Sequence, residues 1–122
     1  MINLFCIVTF SFLLFSFFKK HTDNIIIFIV NNTLKMGKGK AMAQVCHAAV
    51  NIKRENTPKL VLKAEEYQLR DIVVKAKQMK IPVYRVYDAG RTQVPAGSNT
   101  IVALGPDDRS KINILTNELK LY

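Results

Sequence analysis

Carboxylates, thiols and imidazoles are all scarce in this chain. Nine Asp and Glu stand against 18 Lys and Arg in 122 residues, a formal net charge of +9. The only thiols are Cys6 and Cys46 and the only imidazoles His21 and His47. With no Cys-x-x-Cys pair, this excludes a disulfide framework and a structural zinc site. Cys6 falls in an apolar leader and Cys46 in a helix-like stretch, so they are not expected to pair, and the compartment reads as reducing. The chain also lacks the Gly-x-x-x-x-Gly-Lys-Ser/Thr spacing of a phosphate loop. It has no internal repeats, no low-complexity stretch beyond the leader, and neither the basic start nor the small-residue cleavage site of a secretory signal. Sheet-borne aromatic stacking motifs are missing too, which disfavours a general single-strand RNA-binding domain.

The length suits one domain with a core of its own. From Ile25 onward there are 16 basic and 8 acidic residues, so the positive charge belongs to that domain. Such a field favours polyanions, RNA first among them. The plainer alternative is a soluble protein whose lysines are merely solvated.

Residues 1–24 read as a separate leader ahead of a domain at 25–122. Ile2 to Phe18 is an uncharged run of 17 residues followed directly by Lys19-Lys20, an apolar helix at the short end of what spans a bilayer. The basic pair would keep the domain on the cytoplasmic side of a membrane held through residues 2–18. Two other readings stand beside the anchor: a packed helix, and a peptide that is not part of the working protein.

Within the domain, Ile25 to Val30 is a short, mostly β-branched run suited to a strand buried on both faces. A helix is expected from about Lys40 to Ile52. Its spacing puts Met42, Val45, Cys46 and Ala49 on an inward face and Lys40, Gln44, His47 and Asn51 on the opposite one. Lys59 to Lys63 reads as a second strand. Glu65 to Lys80 reads as an amphipathic helix with Leu69, Ile72, Val73, Ala76 and Met79 inward, closed by Pro82. Val83 to Tyr87 and Thr100 to Leu104 follow as strands, and Gly105-Pro106-Asp107 as the start of a last helix with Ile112, Leu115 and Leu119 inward. Strands alternating with helices indicate an α/β layer architecture.

Two stretches carry chemistry. Gly37 and Gly39 turn the backbone ahead of a helix start, where free N–H groups and Lys35, Lys38 and Lys40 make a seat for an anion, or else a solvated basic turn. Further on, Asp88-Ala-Gly-Arg-Thr-Gln93 follows directly on a strand, at the lip of the sheet. There Asp88 could simply cap the amides of Gly90 or Arg91.

Taken together, Leu34-Lys-Met-Gly-Lys-Gly-Lys40 running into Ala-Met-Ala-Gln-Val-Cys-His47, and then Asp88 to Gln93, resemble the type 2 peptidyl-tRNA hydrolases of archaea and eukaryotes. The resemblance covers roughly Ile25 to Tyr122. It implies a three-layer α/β/α domain around a four-stranded mixed sheet that cleaves the ester between peptide and tRNA without a metal or other cofactor. Lys40, Asp88 and Thr92 match the family's site candidates. Lys35, Lys38, Gln44, His47, Arg91 and Gln93 fall at positions suited to gripping the substrate. Asp88 would orient or deprotonate a water, staying ionised beside Lys40 and Arg91. Lys40 and Thr92 would offer donors to the developing oxyanion, with Thr92 as nucleophile the alternative. The resemblance also implies peptidyl-tRNA as partner, a homodimer, and a place in the cytoplasm or on the cytosolic face of the mitochondrial outer membrane.

The pattern breaks at two places. Asn31 and Thr33 stand where the family usually has an arginine and an acidic residue, removing a planar fork for phosphate or carboxylate. After Ile52 the chain reaches Pro58 within six residues, so about one family helix is expected to be missing, with apolar surface left for a partner subunit, a marginal domain or an incomplete sequence to explain. A catalytically impaired, membrane-tethered RNA- or protein-binding member is the second reading that follows.

Overall fold

The computed structural model describes residues 23–54, 56–90 and 94–122. The leader with its anchor reading, and Arg91, Thr92 and Gln93, lie outside these residues. Among the described residues no helix is long and apolar enough to cross a membrane.

Eight elements make an α/β fold: β1 (Asn24–Asn31), α1 (Lys38–Ile52), β2 (Lys59–Ala64), α2 (Glu66–Gln78), β3 (Val83–Tyr87), β4 (Asn99–Asp108), α3 (Arg109–Thr116) and β5 (Lys120–Leu121). The strands form one mixed sheet in the order β3-β4-β1-β2-β5. β1 runs parallel to β2, with Ile26 opposite Lys59 and Asn31 opposite Ala64, and antiparallel to β4, with Val30 opposite Ile101. The sheet therefore has five strands, not four. The extra strand pairs Leu121 with Leu62 at the β2 edge, and two residues are too few to leave a periodic signal.

β1 decides where the core lies. Ile25, Ile27 and Ile29 point to one face, where they meet Leu69, Ile72, Val73 and Ala76 of α2 and Ile112 of α3. Ile26, Phe28 and Val30 point to the other, beneath Ala41 and Ala48 of α1. Alternation along one strand thus feeds two cores. Each fully buried Ile or Phe contributes about 1.5–3 kcal/mol. The inward residues expected of α2 are buried, and Met79 packs against them.

α1 differs from expectation by a rotation. Its buried residues are Ala41, Gln44 and Ala48, with Val45 and Ala49 at the margin, while Met42 is 61% exposed and Cys46 is also exposed. Small alanines let the helix lie close to the sheet, and Gln44 finds a buried partner there. A stripe of larger apolar residues consequently faces out. Residues 53–58 join α1 to β2 with no helix among those described.

The last helix also starts later than expected. Gly105-Pro106-Asp107 continues β4, because Asp107 and Asp108 still pair with Ile25 and Asn24. The helix begins only at Arg109, where the Asp108 side chain accepts the Ser110 N–H at 2.9 Å. Leu119 lies beyond its end but packs against the core as expected. Gly105 sits at φ +101°, and a Cβ there would lie 2.5 Å from the Ile25 carbonyl oxygen, so only glycine lets β4 pass β1 at this bulge. Gly105→Ala is expected to lower stability by about 2 kcal/mol. Gly39→Ala, where a Cβ meets nothing within 4 Å, should be neutral or slightly stabilising. Urea denaturation of both variants measures the contrast.

Candidate active site

The carboxyl ends of β1, β2 and β3 lie on one edge of the sheet, together with the start of antiparallel β4. Loops leaving that edge are where open α/β sheets place ligands. The chain uses it three times.

After β1 a single 3₁₀ turn, Asn32–Leu34, ends at Lys35 with φ 50°. Gly37 then opens α1 with no side-chain cap, and the first turn carries Lys38 and Lys40 but no acidic residue. Cations at a helix N-terminus oppose the macrodipole, each unfavourable by a few tenths of a kcal/mol. The same arrangement concentrates positive potential where an anion would sit.

Lys40 crosses from this turn to the loop after β3. Its Nζ lies 2.5 Å from Asp88 Oδ1, with the Lys40 side chain 12% exposed and that of Asp88 4%. The other carboxylate oxygen, Oδ2, accepts the Gly90 N–H at 2.8 Å. The capping role foreseen as the bland alternative is therefore real, and coexists with the ion pair. Backbone bonds fix Asp88 further: its N–H donates to the Ser98 carbonyl at 2.9 Å and its carbonyl accepts from Gly97 at 2.8 Å. Gly90 adopts φ +80°, and a Cβ there would lie 2.5 Å from Ala96 Cβ. The described residues flanking 91–93 are thus both held, Gly90 by Asp88 and Val94 by burial in the α1-side core.

Gln44, one turn beyond Lys40, is buried, and its Oε1 accepts the Thr100 hydroxyl at 2.6 Å; Thr100 also reaches the Val86 carbonyl at 3.3 Å. That contact ties α1 to the start of β4. Gln44 is consequently turned inward, away from the polar face expected of it, whereas His47, Lys35 and Lys38 are exposed. The structure brings Lys40 and Asp88 together, and among the described residues the His47 side chain makes no hydrogen bond or ion pair with either.

Two residues where a family pattern is absent have local partners. Asn31, fully buried, donates from Nδ2 to the Asn99 carbonyl at 2.9 Å and accepts the Thr33 N–H. Thr33 donates to Glu65 Oε2 at 2.6 Å and accepts the Glu66 N–H, while Asn32 donates to Glu65 Oε1 at 3.1 Å. Glu65 caps α2 in a capping box with Gln68. The Thr33 hydroxyl first and then the Asn32 amide hold the Glu65 carboxyl below its ordinary value of 4.5, against an opposing effect of burial that is larger than the added pull of the Lys35 charge. Thr100 was not legible as a site neighbour, since a polar residue at the end of an apolar strand reads as an ordinary strand terminus.

Other concavities look different. A groove of about 590 Å³ runs over Ile25, Leu60 and Leu62 beside α3, and one of about 750 Å³ separates α2 from α3. Neither has a buried charge pair. Among the described residues, no group of three or more His, Cys, Asp or Glu is placed to hold a metal.

Residues 25–122 match the family model described as peptidyl-tRNA hydrolase PTH2. The chain is 41% identical over 112 residues to peptidyl-tRNA hydrolase 2, mitochondrial, of Bos taurus, covering 79% of this chain and 63% of that one. It is 40% identical over 108 residues to peptidyl-tRNA hydrolase of Methanothermobacter thermautotrophicus, covering 78% of this chain and 96% of that one. The chain thus spans less than two thirds of the bovine relative and nearly all of the archaeal one. A solved structure of a protein of unknown function from Agrobacterium tumefaciens superposes with a TM-score of 0.56 at 14% identity, over 82% of this chain and 98% of that one. At that identity the likeness concerns the fold alone.

Two outcomes follow from the contacts around the site. A carboxyl whose folded pKa is depressed stabilises above its unfolded value, and the contribution is lost as the pH falls through the lower folded one. The gap in melting temperature between wild type and Glu65→Gln, followed from about pH 7 to pH 3, should therefore be constant at neutrality and close below 4.5. Thr100→Val leaves the buried Gln44 carbonyl without its donor and should lower stability by about 1–3 kcal/mol in denaturant titration.

Proposed function

The chain belongs to the peptidyl-tRNA hydrolase PTH2 family, and on that premise we propose that it hydrolyses the ester joining a peptide to tRNA, releasing both for reuse. The observation that carries this reading is the buried Lys40–Asp88 pair at the ligand-binding edge of the sheet. Burial of an ion pair is costly unless the groups are well satisfied, and this one joins α1 to the loop after β3.

In this reading Asp88 orients a water toward the ester carbonyl and takes its proton as the new C–O bond forms. The carbonyl oxygen gains negative charge, which Lys40 and the Thr92 hydroxyl stabilise by donation. The bond to the ribose oxygen then breaks, and that oxygen leaves with the proton held by Asp88. Lys35 and Lys38, at the uncapped start of α1, hold phosphate. Arg91 and Gln93, in the same loop as Thr92, grip the tRNA end, with His47 supporting from the exposed side of α1. Gln44, being buried, serves by holding α1 to β4 so that Lys40 reaches Asp88.

Residues 25–122 are proposed as the hydrolase domain and 1–24 as its apolar leader, the matched span supporting that division. The mitochondrial name of the bovine relative supports a mitochondrial location, and the uncharged run 2–18 supports a membrane attachment there. A homodimer rests on the family resemblance. A catalytically impaired member that only binds RNA or protein is the second reading, favoured by Asn31 and Thr33 being committed to internal hydrogen bonds.

Hydrolysis of a labelled N-blocked aminoacyl-tRNA tests both. Asp88→Asn and Lys40→Ala should each lower kcat by about 10²–10⁴-fold while tRNA affinity changes little. An active Asp88→Asn protein would remove the role given to the carboxylate, and a wild type that is folded and tRNA-binding but inert would select the second reading.

A further inference from the structure

We propose that the whole length of α1 is an RNA-stem-binding rod, with Lys53 and Arg54 at its far end forming a second phosphate-binding point remote from the Lys40–Asp88 pair. The proposal rests on the reading above for the identity of the RNA, and adds which part of it the domain holds and where.

Charge is distributed unevenly over the two faces of the sheet. On the α2 and α3 side four cations are paired locally, in Arg70–Glu66 at 3.1 Å, Lys75–Asp71 at 2.8 Å, Lys111–Asp107 at 3.0 Å and Arg109–Asp23 at 3.0 Å, with Lys77 of α2 outside these pairs. In the sequence from Asn24 to Ala64, which holds α1, the sole acidic residue is Glu55. Among the described residues the one ion pair there is Lys40–Asp88. Unneutralised cations of one sign at both ends of a helix attract a polyanion and release its counterions.

The field has two ends. Lys35 and Lys38 stand at the start of α1, while Lys53 and Arg54 are exposed at its finish. Lys53, at φ 52°, closes the helix, and the Lys59 ammonium donates to the Arg54 and Thr57 carbonyls at 2.8 Å each, folding the connection back. From Lys40 to Lys53 the helix rises about 20 Å, enough to reach well along a base-paired stem whose reactive end lies at Asp88.

A duplex fits this surface better than a single strand. Single strands are held by stacking bases on aromatic side chains. Neither α1 nor its connection to β2 carries a Phe, Tyr or Trp; the exposed aromatics on that side of the sheet, Tyr84 on the strand face of Val86 and Tyr122 with its hydroxyl on the Met36 carbonyl, lie off the helix. Double-stranded RNA is recognised through its backbone and shape, for which separated cations on a rigid helix suffice. The residues that would touch RNA at the far end belong to none of the machinery placed at Asp88.

The full chain and its Lys53→Ala/Arg54→Ala double variant are to be compared on two esters: an N-blocked aminoacyl-tRNA and the same aminoacyl group on a CCA trinucleotide. The expected result is a rise of about tenfold in KM for the tRNA ester, with kcat and all trinucleotide turnover unchanged. Affinity for an unacylated RNA hairpin should fall, and its log–log salt slope should shrink by about two, one for each phosphate that Lys53 and Arg54 neutralise. Equal losses on both esters would mean a disturbed fold and overturn the proposal. So would an equal loss of affinity for a single strand of the same length, or a loss confined to binding of vesicles containing anionic lipid. If the wild type cleaves neither ester, the hydrolase reading fails, while hairpin binding by the two proteins still decides this one.

Discussion

Burial of β1 on both faces and pairing on both of its edges is the constraint from which the domain is built. Seven of its eight residues are buried, so its backbone groups have only strand neighbours to satisfy them, and β2 and β4 must lie against it. Its alternating side chains demand cover above and below. α1 answers on one side, α2 and α3 on the other. β1 thus serves both cores through alternate residues, whereas α2 serves one.

The same strand delivers the chemistry. At its carboxyl end Asn31 binds the Asn99 carbonyl and so ties the β1 exit to the β4 entry. Thr100, the next residue, ties β4 to α1 through Gln44. These bonds make one buried polar chain from β1 through β4 to the helix that carries Lys40. Partly satisfied, such a network would be a liability; here no described buried side-chain polar atom lacks a partner. The Lys40–Asp88 contact thus rests on positions set by residues that need not touch substrate themselves.

Legibility in the sequence tracked the range of the interactions. α2 and the interiors of β1 to β4 were readable because periodicity and β-branched runs are local signals. The facing of α1 was not, because an inward Gln44 makes sense only once Thr100, 56 residues away, is beneath it. Gly105-Pro106-Asp107 has the composition of a helix start, yet pairing with β1 keeps it in the sheet. Lys40 and Asp88 were found through their motif neighbours, and their direct contact across 48 residues is tertiary information. Asn31 and Thr33 stood out only as departures from a pattern, and their internal partners emerge from the fold.

The direction of β1 also separates the chain's entry into the domain from the proposed site. Its amino end, where Asp23 enters, lies one strand length from the edge holding Lys40 and Asp88, about 25 Å at the usual rise per residue. The chain therefore enters the domain at the pole opposite the Lys40–Asp88 pair, and the proposed site faces away from that entry like the free end of a short post.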